Sequence, residues 1–332
     1  MAAELRDKAV VITGASSGIG RAAAQAFARA GAQLVLAARS EAALAVAARE
    51  CAEAGGEAIP APCDVTDAEQ VLHVAETARQ RFGRIDIWIN DAGVHLLGRM
   101  DEVPLEDFRQ VIDVNLMGTV HGCRAALPVF RAQNAGVLIN IGSMAGTMGQ
   151  PYASAYVASK WAVRGLSEAL RMELIDQPHI HVCTILPPSI DTPLFQHAGN
   201  YAGRAVQPMP PVYSPEQVAD TIVAVARRPV REAFIGMGRL AAAAHAIAPG
   251  ATERLMSRAA SRRHFQRRPS GPSQGNLYTP QADSVHGGWG SQAVSHKGRN
   301  TALVAAGIAV AVPLGVYAWR RLRARPTTAE YV

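Results

Sequence analysis

From Lys8 to Ile235, short apolar runs alternate with longer amphipathic ones. Lys8–Thr13 (KAVVIT), Gln33–Ala38, Glu57–Ala61, Ile85–Asn90 (IDIWIN), Gly136–Gly142 (GVLINIG), His179–Leu186 and Glu232–Ile235 have the length and composition of strands. Between them, Ile19–Ala30, Glu41–Ala54, Asp67–Phe82, Leu105–Gln133, Ser154–Ile175 and Pro215–Arg227 carry helical periodicity. Gly31 and the pair Gly55-Gly56 are the stop signals of the first two. The long stretch from Leu105 is expected to break near Asn115–Gly118. Strands separated by helices of this length predict an α/β fold. It is a doubly wound parallel sheet of about seven strands with helices on both faces.

Two regions leave this rhythm. Pro187–Pro211 is rich in proline and polar residues and follows a strand C-terminus, the edge where open α/β sheets bind ligands. It is a candidate substrate lid; an inert surface excursion is the alternative. Past residue 240 the pattern changes altogether. Residues 1–240 form the main domain, and 241–268 are a basic helical extension. Residues 269–299, rich in Gly, Ser, Gln, Asn and His, predict a disordered linker. Thr301–Trp319 is nineteen residues without a charge, and 320–332 form a basic tail opening with Arg320-Arg321. At ~1.5 Å per residue the uncharged stretch reaches roughly 28 Å, about the hydrocarbon thickness of a bilayer. A transmembrane helix is therefore expected at 301–319, with Tyr317 and Trp319 at the interface. A spanning helix would carry the arginines of 320–325 to the far side, against the preference for positive loops inside. A surface-lying or re-entrant helix, lipid contact by Arg254–Arg268, and a buried or oligomer-forming helix remain alternatives.

Charge sharpens the division. The chain of 332 residues has formal net charge +6, yet from Glu253 onward there are twelve Lys/Arg against three Asp/Glu. The first 252 residues are therefore mildly acidic, which gives no reason to expect a nucleic-acid partner. The arginines of the extension are not interleaved with aromatic stacking residues. Cys51, Cys63, Cys123 and Cys183 lack metal-ligand or redox spacing and read as buried thiols of a reducing compartment, so no metal is expected. The N-terminus has no apolar secretory signal, and the main domain is expected to be cytoplasmic.

The candidate chemistry begins at Thr13-Gly14-Ala15-Ser16-Ser17-Gly18-Ile19-Gly20, which follows a predicted strand and opens a predicted helix. Gly14, Gly18 and Gly20 permit positive φ and close backbone approach. The helix N-terminus offers amides and a positive dipole end to a pyrophosphate. The second strand ends at Ala38-Arg39-Ser40, without the acid that usually holds a ribose 2′-hydroxyl. Arg39 presents a guanidinium fork suited to a 2′-phosphate, so NADP (NADPH) is the expected cofactor. A water-facing Arg39 that only ends a strand is the alternative. Farther on, Tyr156 and Lys160 lie four apart, thirteen residues after Ser143. Lysine is rare here: only Lys8, Lys160 and Lys297 occur among 33 basic residues. An ammonium is a compact point charge where arginine is planar and always protonated. By itself the spacing also fits a tyrosine beside a solvated lysine.

These motifs together resemble the short-chain dehydrogenase/reductase family in its compact single-domain form, over residues 5 to about 240. The resemblance implies a Rossmann-type fold and a set of roles. Gly14, Ser16, Ser17, Gly18, Ile19 and Gly20 match the cofactor turn. Asp64 and Val65 match the adenine contact. Asn90, Ala92 and Gly93 match an Asn-Asn-Ala-Gly motif whose second asparagine is Asp91 here. Asn115, Ser143, Tyr156 and Lys160 match the four catalytic positions. Pro187, Ile190 and Thr192 belong to the segment beside the nicotinamide, whose usual glycine is Pro188 here. Proline fixes φ and removes a donor, so that loop is expected to be stiff.

The implied reaction transfers a hydride between NADP(H) and a carbonyl or alcohol. Ser143 would bind the substrate oxygen, and Tyr156 would exchange its proton. Lys160 would lower the phenol's pKa from about 10 and hold the nicotinamide ribose. Asn115 would hold a water linking Lys160 to solvent, although taken alone it reads as a buried asparagine satisfying backbone in a helix kink; Thr192 would hold the carboxamide. Leu96, Leu97, Met144, Met148, Leu194 and Phe195 are candidate pocket residues, with His95, His197 and Tyr201 as polar exceptions. Of these, Leu96, Met144 and Leu194 join Ser143 and Tyr156 as expected substrate contacts. A hydrophobic small-molecule ketone, aldehyde or alcohol is the expected substrate. Homo-oligomers are expected through the helices at 105–133 and 154–175. A non-catalytic NADP-binding sensor or scaffold on the same fold, tethered to a membrane, is the rival reading. So is an anchoring module in which the reductase domain is secondary.

Overall fold

The computed structural model describes residues 4–281 and 284–290. Its first half runs β1 (Ala9–Thr13), α1 (Gly18–Arg29), β2 (Gln33–Ala38), α2 (Glu41–Glu53), β3 (Glu57–Pro62), α3 (Ala68–Phe82), β4 (Ile87–Asn90), β5 (Leu96–Leu97), α4 (Leu105–Ile112), a π-helical turn (Asp113–Met117) and α5 (Gly118–Gln133). It continues with β6 (Gly136–Ile141), α6 (Ser154–Glu173), β7 (Ile180–Leu186), β8 (Ser189–Ile190), β9 (Gly199–Asn200), β10 (Arg204–Val206), β11 (Val212–Tyr213), α7 (Pro215–Arg227) and β12 (Glu232–Phe234). Two further helices, α8 (Gly238–Ile247) and α9 (Pro249–Arg263), lead into β13 (Phe265–Pro269).

Seven strands form one parallel sheet in the order β12-β7-β6-β4-β1-β2-β3. The order reverses between β1 and β4, so a crevice opens at their C-terminal ends. Strand periodicity explains the two layers of core. Val10 and Ile12, Leu34 and Leu36, and Ile87 and Ile89 face α1, α2 and α7. Their alternates Val11, Val35 and Trp88 face α3, α5 and α6. Each such side chain is essentially sealed from solvent, contributing roughly 1.5–3 kcal/mol of burial free energy.

The predicted stretch from Leu105 is interrupted by a π-helical turn at the expected place, with Asn115 inside it. The excursion at 187–211 is not loose chain. Its short strand β8 pairs with β11, and β9 pairs with β5. The larger correction concerns the described part of 269–299, expected as a linker without structure; 282–283 and 291–299 lie outside the described residues. Residues 269–281 and 284–290 pack on the main domain through backbone and side-chain hydrogen bonds, and Leu277 is fully buried. The segments 301–319 and 320–332, with the expected membrane helix, lie outside the described residues. Among those described, no helix is long and apolar enough to cross a membrane.

Candidate active site

A cleft of about 410 Å³ opens at the β1/β4 reversal. Its floor is the turn after β1. Gly14 has φ 72°, and a Cβ there would lie 2.7 Å from the Ala92 amide nitrogen. A Cβ on Gly20 would lie 2.4 Å from the Gly14 carbonyl oxygen. These two glycines let β1, α1 and the loop after β4 meet. Thr13 Oγ1 ties the same corner by accepting from the Asp91 and Ala92 amides at 3.2 and 3.3 Å. Ser17 caps α1 without a side-chain cap bond, and the helix has no acid in its first turn. Its amides and dipole are thus suited to an anion. A glycine cradle that any Cβ would fill, at a helix N-terminus, fits a dinucleotide pyrophosphate.

Most of the predicted residues line this one cleft: Gly14, Ser16, Ser17, Gly18, Ile19, Arg39, Asp64, Val65, Ala92, Gly93, Ser143, Tyr156, Lys160, Pro187, Ile190 and Thr192. So do Met144, Met148, Leu194, Phe195, His95 and His197. Others stand behind it. Gly20 is packing rather than lining. Asn90 belongs to a buried polar ladder, accepting from Trp88 Nε1 at 2.8 Å and donating to Asn140 at 2.9 Å. Asn140 in turn donates to Ser167 on α6.

The Asn115 side chain is buried in the helix break and satisfies backbone. Its Oδ1 accepts from the Val94 amide at 2.8 Å, and its Nδ2 donates to Val94 O and Ser159 Oγ, both at 3.0 Å. Both amide hydrogens are engaged, so the side chain clamps the β4 loop to α6 instead of presenting donors to a water. Leu96 and Leu97 also differ: pairing of β5 with β9 turns them into the core, and Leu96 does not touch the cleft. Tyr201 hydrogen-bonds Asp107 away from it.

The reactive groups converge across β6 and α6. Ser143 follows β6, and its Oγ accepts from the Ala145 amide at 3.1 Å. The Tyr156 phenol faces Ser143, whose hydroxyl favours the phenolate. Lys160, one turn along α6, donates to the Ile141 carbonyl at 2.8 Å, and its Nζ sits 5.7 Å from the Tyr156 ring centre. The His95 ring stacks on Tyr156 at 4.2 Å with planes 9° apart.

Burial governs the electrostatics. It pushes the Tyr156 phenol up to about 12; the Ser143 hydroxyl opposes this and the Asp91 carboxylate adds to it. Lys160 is pulled down by burial and held up by Asp91, while Asp91 is raised by burial and lowered by Lys160. His95 and His264 are lowered to about 3 and about 4, chiefly by burial, and are therefore neutral near pH 7.

Several lining residues escaped the sequence reading: Asp91, Met209, Met237, Met256, His264, Asn276, Pro280 and Gln281. Asp91 alone carried a signal, as the departure from Asn-Asn-Ala-Gly. His264 was hidden in a basic stretch that reads as solvated helix.

Arg39 is at the rim, but its fork is occupied. Nη1 donates to the carbonyls of Leu277 (3.1 Å) and Tyr278 (3.0 Å), and Nη2 to that of Asn276 (2.7 Å). One Nη2 hydrogen and the Nε hydrogen are left from the guanidinium's five.

Known proteins share this architecture. The family model described as short chain dehydrogenase matches residues 8–201. The uncharacterized oxidoreductase YxnA of Bacillus subtilis is 37% identical over 328 residues, covering 95% of this chain and 90% of that protein. The uncharacterized oxidoreductase Lin0452 of Listeria innocua is 39% identical over 193 residues, 58% of this chain and 78% of its own. Among solved structures, a short-chain type dehydrogenase/reductase from Mycobacterium marinum aligns with TM-score 0.63 and 33% identity, covering 70% of this chain and 95% of its own. A metagenomic short-chain oxidoreductase in complex with NADP aligns with TM-score 0.61 and 29% identity, over 70% of this chain and 98% of its own.

Proposed function

The chain belongs to the short-chain dehydrogenase/reductase family and is an oxidoreductase, and from that premise we propose that it interconverts a hydrophobic ketone or aldehyde and its alcohol with NADP(H). The observation that carries this reading is the convergence of Ser143, Tyr156 and Lys160 in one cleft with the glycine turn. Bound nicotinamide supplies or accepts the hydride. The chain's residues supply the rest. Ser143 Oγ donates to the substrate oxygen, and the Tyr156 hydroxyl gives that oxygen a proton in reduction or takes it in oxidation.

A phenol held near 12 is a poor proton donor and a worse base at neutral pH. The Ser143 hydroxyl opposes the penalty, and the role proposed for the Lys160 ammonium, 5.7 Å from the Tyr156 ring centre, is to add to that by stabilising the phenolate. Asn115 acts through others, fixing the loop that carries Gly93 and the helix that carries Lys160. Gly14, Ser16, Ser17, Gly18 and Ile19 would hold the pyrophosphate, and Pro187, Ile190 and Thr192 the nicotinamide side. Asp64 and Val65 would meet the adenine. NADP over NAD is supported by the missing acid at the end of β2, the guanidinium there, and a relative solved with NADP.

Met144, Met148, Leu194, Phe195, Met209 and Met256 make the substrate side apolar, and the buried His95 and His264 are neutral. This favours an uncharged, lipophilic substrate. Exposed Met117, Trp161 and Met172 in and beside α5 and α6 support self-association there. The test is a panel of lipophilic ketones and aldehydes with NADPH consumption read by fluorescence. Protein that binds NADPH and reduces no member of the panel would sink the reading.

A further inference from the structure

We infer that the described residues after α9, 264–281 and 284–290, form the outer wall of the cofactor cleft, a strap that must lift at 284–290 for the dinucleotide to enter or leave. The inference rests on the reading that this cleft takes a nicotinamide dinucleotide.

The strap begins where β13 pairs antiparallel with β10, which turns the chain back over the 187–211 excursion. Phe265 packs with Leu97, Ala198 and Val206. Ser273 exchanges two backbone hydrogen bonds with Asn200, and the Asn276 amide donates to the His197 carbonyl. Leu277 is fully buried against the core layer beneath α3 and α5. Up to this point the strap has apolar anchors.

Beyond Leu277 the fastening changes character. The carbonyls of 276–278 accept from Arg39, and Gln110 Nε2 donates to the Leu277 carbonyl at 3.0 Å. Asp107, buried on α4, accepts from Gln274 Nε2 and from the Tyr278 hydroxyl, both at 3.0 Å. Farther on, the Ser284 carbonyl accepts from the Gly18 amide at 3.0 Å. Asp191 Oδ1 accepts from the amides of Gly287 (3.1 Å) and Trp289 (2.7 Å). Gln196 donates to the Gly287 carbonyl, and His286 meets Glu216 at 3.0 Å.

These partners come from three sides of the cleft: the end of β2, helix α4 and the loop after β7. Asn276, Pro280 and Gln281 line the same space as the glycine turn. The strap therefore bridges the mouth. It also engages two groups that sequence logic assigns to phosphates, the Gly18 amide at the α1 N-terminus and the Arg39 fork. Beyond Leu277 the half-buried Val285 also rests on the core, but no described side chain there is sealed as Leu277 is. A segment fastened chiefly by polar contacts opens locally more readily than one with fully buried apolar anchors. The structure thus divides the strap into a fixed part ending at Leu277 and a releasable part beyond it. Arg39 and Asp107 hold the junction at 274–278, and Asp191 is the positioning residue of the releasable part. The family model's match ends at residue 201, well before the strap, whereas the Bacillus subtilis relative aligns over 95% of this chain.

The experiment uses the full chain and two variants that leave the reactive groups untouched. Tyr278→Phe removes the hydroxyl held by Asp107. Gln196→Ala with Glu216→Ala removes two partially exposed side chains that hold 286–287, a change too superficial to unfold the domain. NADPH dissociation is measured by stopped-flow fluorescence, single-turnover hydride transfer by absorbance, and amide exchange of 284–290 with and without NADPH. Expected are a dissociation rate raised roughly tenfold by the first variant and roughly threefold by the second. Hydride transfer should not change, and exchange of the strap amides should change with NADPH present, because the Gly18 amide held by the Ser284 carbonyl is one the pyrophosphate would claim. Unchanged dissociation in both variants, or strap exchange indifferent to NADPH, overturns the strap and leaves the proposed reaction standing. Failure of the wild-type chain to bind NADPH or NADH at all overturns both.

Discussion

Asp91→Asn tests whether the charges around the phenol set the working pH. The substitution keeps shape and removes one charge. Asp91 lines the cleft, and a Cβ on Gly20 would lie 2.8 Å from its Oδ2. A Cβ on Gly93 would lie 3.7 Å from the Asp91 carbonyl oxygen and 3.8 Å from Lys160 Nζ, which brackets how near the two residues are. Ionised Asp91 raises Tyr156 and also raises Lys160. Removing it lowers both, so the two limbs of the pH profile move the same way. At an effective dielectric of ~20, even a separation of ~12 Å gives ~1.4 kcal/mol, or about one pKa unit. Nearer charges move a pKa by about 1–3 units.

The assay is kcat/KM for oxidation of an alcohol that the enzyme accepts, followed across pH with saturating NADP. With the positive nicotinamide of NADP bound, which would bring the phenol down from its value without the cofactor, the acid limb reports deprotonation of the phenol, and loss of the ammonium is expected to bring the fall at high pH. Both are expected about one unit lower in Asp91→Asn. Because burial raises Asp91 itself, the effect should be fullest on the alkaline side, where the wild-type carboxyl is ionised. A variant of reduced height with unmoved limbs would refute the electrostatic account and make Asp91 a packing residue. Limbs moving in opposite directions would refute the assignment of the two groups.

Tyr156→Phe is expected to keep NADPH affinity, read by fluorescence titration, while turnover falls by roughly 10²–10⁴. Arg39→Gln is expected to weaken NADPH by about tenfold and NADH less; equal losses for both would make Arg39 a strap anchor only. Gly14→Ala places a Cβ 2.7 Å from the Ala92 nitrogen at φ 72°. It should abolish nucleotide binding and cost roughly 1–3 kcal/mol of stability in a denaturant melt.

The elements legible in the sequence are those whose burial repeats. β1, β2, β4 and β6 are apolar on both faces, and their alternation into two core layers follows from a period of two. The glycine turn, Ser143, Tyr156 and Lys160 were legible for a different reason. Each sits at the end of a strand or on one helix face, so local order fixes its direction. Leu96 failed that test. Two residues long, β5 has no period to read, and its pairing with a strand a hundred residues away decides which way the side chain points. Asn115 failed partly: its position inside the helix break was visible, but its partners Val94 and Ser159 come from other elements.

The strap shows the limit most clearly. Its composition is that of a chain unable to form a core, and it forms almost none. It is held because the folded domain already offers carboxylates, a guanidinium and a helix-terminal amide at fixed places, and the backbone groups of a Gly- and Ser-rich stretch can meet them without side-chain periodicity. Low hydrophobicity excludes an independent fold, but it does not exclude docking onto one. The same feature gives the strap its consequence for function. Contacts that need no apolar burial can be exchanged for water at small cost, so a cleft closed this way can open without disturbing the sheet that positions Ser143, Tyr156 and Lys160.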